Sequence, residues 1–161
     1  MRAFTRRSGK GCAAILATAV IVTGCGDDEP TGPDPADVVG QWSYVITDAV
    51  GGGFTCSVTG ITLTFNRIGE IVDGTILAVG DDNLTCVGSG GTQANDFNGE
   101  GNLEDVAVNG SNVGFTIPTF HGPWESTGTV NGNSMGGNVV MPLEFSASTI
   151  VMNGTWSATR N

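Results

Sequence analysis

Basic residues are almost absent from this chain after residue 10. Only Arg67 and Arg160 follow Lys10, whereas all sixteen Asp and Glu residues lie after Cys25. From Cys25 onward, two basic residues against sixteen acidic ones give a formal net charge of −14. A surface of this sign repels phosphates and anionic lipid headgroups, which excludes nucleic acid as a partner and a basic patch as a membrane anchor. Cations and cationic partners remain open.

Histidine occurs once, at His121, and this limits enzymatic chemistry. Catalysis by a Ser-His-Asp or Cys-His arrangement would have to use this residue, which lies in a turn-like loop with no Gly-x-Ser-x-Gly motif nearby. Carboxylates of the type that glycosidases use are present, but their spacing selects no pair. They are Glu104, Asp105, Glu125 and Glu144. We therefore predict a non-catalytic protein without a cofactor.

Long apolar runs are missing except at the N-terminus. Arginines and Lys10 precede the apolar residues 13–22, and small residues follow before Cys25. A basic head, an apolar segment too short to span a bilayer permanently and small residues before the cut predict a secretory signal peptide at residues 1–24. The pair Arg6-Arg7 also occurs in twin-arginine signals, but the apolar pair that normally follows it is missing here.

The end of this leader carries a second signal. Val22-Thr23-Gly24-Cys25 resembles the lipobox of bacterial lipoproteins, with Val22 where leucine is usual. The resemblance implies that Cys25 is acylated, becomes the first residue of the mature chain and attaches it to a lipid bilayer. We expect the protein in the bacterial cell envelope, at the outer membrane, on its periplasmic face or at the cell surface. The alternative is a secreted protein cleaved nearby, which would keep Cys25 as an odd thiol.

Residues 25–37 follow as the modified cysteine and a segment rich in proline, glycine and acids. Proline and like charges favour an extended chain, so we predict a tether that could hold the next domain roughly 35 Å from the membrane. Residues 38–161 have the size of one domain with a modest core.

Cysteine motifs for metal or redox chemistry are also missing. Cys56 and Cys86 are the only thiols left once Cys12 is removed with the leader and Cys25 is acylated. In an oxidising compartment we expect them to form a disulfide, which contributes roughly 3 to 4 kcal/mol in the chain-entropy model. A metal or redox role is disfavoured because no Cys-x-x-Cys exists.

Helical periodicity is absent from residues 38–161, and β-branched residues alternate there with polar ones. The fold class is therefore all-β, as an antiparallel up-and-down meander. Its nine predicted strands are Gly40 to Thr47, Thr55 to Phe65, Glu70 to Val79, Leu84 to Gly88, Leu103 to Val108, Asn112 to Pro118, Trp124 to Val130, Ser134 to Met141 and Thr149 to Thr159.

An internal echo supports pairing between neighbouring strands. The segment 108–114 recurs at 130–136, each with Asn-Gly at its centre. Asn-Gly supplies the positive φ angles of a type I′ turn, so both copies are predicted to be hairpin tips.

Each predicted strand has one apolar face, as expected for a closed barrel or a two-sheet sandwich. Gly40-Gln41-Trp42 opens the first strand and Arg160 ends the last, and this resembles the lipocalins and their calycin relatives. The resemblance implies a barrel of eight to ten strands, in which the first and last strands are neighbours and Arg160 stacks on Trp42. The β-sandwich is the alternative, but the immunoglobulin signature sets a tryptophan between two cysteines, and none lies between Cys56 and Cys86.

The barrel predicts a function. Its wall would carry seven large side chains around a small apolar or amphipathic ligand: Trp42, Tyr44, Phe65, Phe115, Trp124, Met152 and Trp156. Small residues such as Gly128, Gly137 and Gly154 leave room, although glycine also marks strand bends. The alternative is a protein-interaction module of the envelope with a fully packed interior and an exposed apolar patch.

Calcium is the remaining question in so acidic a chain. The loop Asp96 to Gly101 places oxygen side chains at alternate positions, but Ala107 stands where an EF-hand needs a bidentate glutamate. Asp81-Asp82-Asn83 has the composition of a turn. An EF-hand is excluded and no metal site is predicted, while a weak irregular calcium site stays open.

Overall fold

The computed structural model describes residues 38–145 and 148–161, which form eleven β-strands. The predicted signal peptide, the lipobox with Cys25 and the tether lie outside the described residues. Within the described part of the chain, no helix has the length and apolarity to cross a membrane. The strands are β1 (Gly40–Gly51), β2 (Phe54–Ile68), β3 (Ile71–Ala78), β4 (Leu84–Gly88), β5 (Gly91–Asn95), β6 (Gly99–Asn102), β7 (Glu104–Asn109), β8 (Asn112–Ile117), β9 (Trp124–Asn131), β10 (Ser134–Phe145) and β11 (Ser148–Arg160).

The nine predicted strands are all present, with ends shifted by a few residues. The predicted inward residues of β1 and β8 are buried: Trp42, Tyr44 and Ile46 in β1, and Val113, Phe115 and Ile117 in β8. Thr116, predicted to face outward, is buried as well. Alternation fixes the buried face because successive side chains of a strand point to opposite sides of the sheet.

Two strands, β5 and β6, were not predicted. Their sequences, GTQAN and GEGN, hold almost no apolar residues, and every residue in them is exposed. Each pairs with one neighbour only, β5 with β4 and β6 with β3. An edge strand without a buried face leaves no periodic signal in a sequence.

Antiparallel ladders join the strands in the order β5-β4-β2-β1-β11-β10-β9-β8-β7, with β3 beside β2 and β6 beside β3. The predicted pairing of the first and last strands is confirmed, with Trp42 opposite Arg160. β2 is long enough to carry two partners on its other side, because Ile61–Ile68 pairs with β3 and Phe54–Val58 pairs with β4. The predicted meander is therefore wrong at this point: β4 was expected beside β3, but it pairs with β2, and β3 pairs with β6.

The predicted disulfide fixes the β4–β5 hairpin to the sheet. Cys56 in β2 lies directly opposite Cys86 in β4, with 4.0 Å between their Cα atoms and a bond between their Sγ atoms. Both cysteines are buried, so the bond forms part of the core as well as a link between strands.

The predicted closed barrel is not formed by the ladders, whose order is an open path. β6 pairs with β3 and β7 pairs with β8, and no ladder of the described residues joins β3 to β7. β7 is irregular near its start, because Asp105 has a φ of 50° and the β7–β8 register shifts between Glu104 and Ala107. A bulge of this kind bends a strand and interrupts its pairing. An antiparallel open sheet or a sandwich fits the observed order.

The two echo segments are hairpin tips, as predicted. Gly110 and Gly132 occupy the first central position of their turns, with φ of 56° and 58°. The following residues, Ser111 and Asn133, do not have positive φ. The predicted type I′ geometry is therefore wrong, because it needs positive φ at both central positions, and glycine at the first is typical of type II′.

Candidate functional site

The seven residues predicted to line a ligand cavity are all buried, none with more than 2 % of its surface exposed. Phe115 contacts three of the other six. Its ring meets Tyr44, Phe65 and Trp156 edge-on, at centroid distances of 5.9, 5.7 and 5.3 Å. Tyr44 and Trp156 stack at 5.4 Å. Side chains at these distances fill the space between them, so we call this set the aromatic core.

The glycines that were expected to leave room are instead close contacts between strands. Gly128 and Gly137 face each other in the β9–β10 ladder, and the Trp156 ring lies against them. A Cβ atom on Gly137 would lie 2.0 Å from the carbonyl oxygen of Thr127. Trp156 donates its Nε1 proton to that same oxygen over 3.2 Å. Strand backbones and an indole therefore occupy the volume assigned to a ligand.

Polar groups in the aromatic core are few. The Tyr44 hydroxyl and the Ser126 hydroxyl form a buried hydrogen bond of 3.0 Å. Burial raises the pKa of Tyr44 far above its usual range, although its hydrogen bond with Ser126 opposes this shift. Trp124 stacks on Phe97 at 4.7 Å, and its Nε1 is buried with no hydrogen-bond partner among the described residues.

Ionisation of Tyr44 should unfold the domain. Below about pH 10 both states hold the phenolic proton; above it the unfolded chain releases the proton and the folded chain does not, so the free energy of unfolding falls as pH rises. Because Tyr44 is the only tyrosine of the chain, tyrosinate absorbance reports on this one group. We expect this absorbance to appear together with the loss of far-ultraviolet circular dichroism. The Tyr44→Phe variant should lack this step, and tyrosinate formation near pH 10 in a folded sample would contradict the prediction.

Trp42 and Arg160 form the predicted contact where the first and last strands end. The guanidinium carbon of Arg160 lies 4.6 Å from the centroid of the Trp42 ring. The indole Nε1 donates to the carbonyl oxygen of Val38 over 2.8 Å, and the backbone N–H of Asn161 donates to Gln41 over 3.0 Å. Gly40 precedes this contact with a φ of 130°, outside the range that other residues favour. The start of the first strand and the end of the last strand therefore lie together, and we call this place the tether end after the predicted tether of residues 25–37.

Two depressions in the described surface border the aromatic core from outside, one at Gly128 and Gly137 and the other at Phe97. The first is an open groove of about 580 Å³ over the outer face of β7 to β10, where glycine, threonine and asparagine leave the backbone uncovered. A smaller pocket of about 150 Å³ lies between Ile76, Phe97 and Phe120 at the end of the sheet opposite the tether end. None of the seven predicted residues lines either depression.

A third depression of about 440 Å³ separates the β4–β5 hairpin from β10, and we call it the hairpin cleft. Its lining is amphipathic, with apolar side chains next to amides, a carboxylate and the imidazole of His121. Its lining residues include Phe54, Leu84, Leu143, Gln93, Asn95 and Glu144. His121 is half-buried here rather than exposed. Its Nδ1 accepts a hydrogen bond from the backbone N–H of Glu144 over 3.3 Å.

The four candidate carboxylates do not form a cluster. Glu104 and Glu125 flank Thr116 in one row across β7, β8 and β9, which places their backbones about 10 Å apart. Asp105 lies on the bulge and Glu144 in the hairpin cleft, and all four side chains are exposed. Among the described residues, no group of three His, Cys, Asp or Glu side chains could hold a metal ion.

The two acidic segments considered for calcium, 81–83 and 96–101, form hydrogen bonds with each other. The backbone N–H of Asp82 donates to Oδ1 of Asp96 over 2.7 Å. The buried Asn83 side chain donates to the carbonyl oxygen of Phe97 and accepts from its N–H. Asn83 and Asp96 thus satisfy backbone groups where the β3–β4 and β5–β6 connections meet. Sequence reasoning missed this contact because the two segments are distant in the chain.

No protein-family model, curated protein or solved structure matches this chain.

Proposed function

We propose that the protein is an exported lipoprotein, acylated at Cys25, whose β domain is a non-catalytic module that binds a partner on its outer surface. The observation that carries this proposal is the filled aromatic core. A container needs an interior volume of several hundred Å³, and here that volume is occupied by rings in contact. Binding therefore has to use the surface.

An exposed apolar patch supports the same proposal. Val50 in β1 and Val140 in β10 both lie opposite Asn153 of the intervening β11, and Val151 lies two residues before it on the same side. Their exposed fractions are 52, 37 and 53 %. Single exposed valines are ordinary, but three on adjacent strands form a patch of the kind that protein interfaces use. We call Val50, Val140 and Val151 the valine patch.

The lipid anchor agrees with the disulfide, which is typical of extracytoplasmic proteins. We place the protein in the bacterial cell envelope, at the outer membrane.

We also propose that the sheet closes as a lipocalin-like barrel through the stretch from β6 to β7. Its support is the hydrogen bond from the Leu103 N–H to the Gly74 carbonyl over 2.8 Å, which bridges the break between β3 and β7.

The test combines the two parts of the proposal. Mass spectrometry of the membrane-extracted protein should find the chain beginning at a diacylglyceryl-modified Cys25, and Cys25→Ser should release it from the membrane. A photoreactive amino acid at Val151 should then give one discrete cross-linked species in cells, and the same group at Thr92 on β5 should not. An unmodified mature chain would refute the anchor, and equal cross-linking at both positions would refute the valine patch.

A second candidate function is the binding of a small amphipathic molecule, for which the hairpin cleft is the specific support. Its volume of about 440 Å³ lies in the range of ligand sites, and its lining pairs apolar side chains with amides and His121. Titration with an amphipathic dye distinguishes the two functions. Saturable binding that is lost in Leu143→Gln and kept in Val151→Gln would favour the cleft.

A further inference from the structure

The hairpin between β2 and β3 ends in two unpartnered isoleucines. Ile68 and Ile71 face each other in the last pair of the ladder, on either side of Gly69 and Glu70. Their exposed fractions of 69 and 70 % are the highest of any large aliphatic side chain in the described residues. We call Ile68 to Ile71 the hairpin tip.

The hairpin tip projects from the tether end. Gly40, the first residue of β1, lies opposite Phe65, and the hairpin continues three residues beyond that pair. At about 3.3 Å per residue the tip extends about 10 Å past the point where the chain enters the domain. The tip is thus directed to the side from which Cys25 reaches the domain.

Charge distinguishes this end from the rest of the domain. Both basic residues of the segment 38–161 lie here, Arg67 beside the tip and Arg160 opposite Trp42. Only two of the segment's eleven acidic residues, Glu70 and Asp73, lie near them. Among residues 38–161, side-chain charges therefore balance at the tether end, whereas the remaining surface is strongly acidic; the five acidic residues of segment 26–37 lie outside this balance. An anionic bilayer repels this end least.

From this geometry we infer that the hairpin tip inserts Ile68 and Ile71 into the surface of the bilayer that holds Cys25. The inference rests on the proposed acylation of Cys25. The twelve residues between Cys25 and Val38 span at most about 40 Å, so the tip is held near the lipid. A link of this length gives an effective concentration in the millimolar range, at which insertion of two aliphatic side chains suffices for a bound state.

The experiment uses the full lipidated protein in vesicles of phosphatidylethanolamine and phosphatidylglycerol that contain a doxyl-labelled phosphatidylcholine. An environment-sensitive dye is attached at Glu70→Cys on the tip, or at Asp81→Cys in the loop at the opposite end of the sheet. We expect lipid-dependent quenching of the dye at residue 70 and none at residue 81. Quenching should fall at least about fivefold in the background Ile68→Ser/Ile71→Ser, because the apolar area that drives insertion is removed.

The outcomes separate this inference from the anchor. Flotation of the protein with the vesicles, together with an unquenched dye at residue 70, would overturn the inference and leave the anchor intact. Protein that fails to float and lacks acylation at Cys25 would refute the anchor itself. Formation of a dimer that needs Ile68 and Ile71, without quenching by lipid, would also overturn the inference and assign the tip to a second copy. Circular dichroism checks that the serine variants fold, as expected for exposed positions.

Discussion

Replacing Phe115 with alanine should lower the free energy of unfolding by about 3–5 kcal/mol, as expected for a buried phenylalanine. Phe115 is 2 % exposed and contacts three other rings, so its removal leaves a cavity that rigid strands cannot close. Urea denaturation followed by tryptophan fluorescence measures the loss. Phe120→Ala is the matched control, because that ring is 77 % exposed and its removal should change stability by less than about 0.5 kcal/mol.

The same substitution tests whether the interior is full. The cavity left by Phe115→Ala would be lined mainly by the rings of Tyr44, Phe65 and Trp156, and apolar cavities of this size bind benzene-sized molecules. We expect the variant to bind benzene saturably, with a higher melting temperature in its presence, and the unmodified protein not to do so. Saturable binding in the unmodified protein that Phe115→Ala weakens would mean that a cavity already exists among the aromatic rings.

Substitution of Gly137 by alanine should be similarly damaging, for the opposite reason. The added methyl group would lie 2.0 Å from the Thr127 carbonyl oxygen and 2.4 Å from the Gly128 Cα, both backbone atoms of the adjacent β9. Because no side-chain rotation relieves this overlap, β9 and β10 must separate. We expect a loss of about 3 kcal/mol, the upper end of the usual cost of overpacking.

Gly114→Ala is the control for Gly137→Ala. The nearest atom to a Cβ on Gly114 is the Ser126 carbonyl oxygen at 3.7 Å, an ordinary contact. Alanine there should be neutral or stabilise the fold by up to about 1 kcal/mol, because it lowers the conformational entropy of the unfolded chain. Equal effects of the two substitutions in urea denaturation would show that the β9–β10 contact does not depend on glycine.

Much of the fold could be predicted because its signals are local. Alternation marks the buried faces of β1, β2 and β8, Asn-Gly marks the β7–β8 and β9–β10 turns, and elimination pairs Cys56 with Cys86. The contact between Trp42 and Arg160 follows from a resemblance of three residues together with the strand count. Each of these depends on residues close in sequence or on a small number of possible partners.

The candidate site could not be predicted, because alternation identifies which side chains point inward and not how much space they enclose. The enclosed volume depends on how closely backbones and side chains approach one another. Gly128 and Gly137 let β9 and β10 lie in close contact, and the Trp156 ring packs against Gly128. The hairpin cleft was missed for a different reason. The cleft exists because β2 is long enough to pair with β4. It could not be predicted because the sequence of β5 has no alternation of apolar and polar residues that would indicate a strand.

The pairing of the first strand with the last, where Asn161 donates a hydrogen bond to Gln41, has a practical consequence for fusion proteins. In the proposed lipid-anchored protein, an affinity tag or fluorescent protein fused after Asn161 would emerge beside residue 38 and close to the lipid, whereas an epitope inserted near the exposed Phe120 would be accessible to an antibody. In the isolated segment 38–161, a few glycines joining residue 161 to residue 38 would also permit circular permutation, with new ends cut at a distal turn.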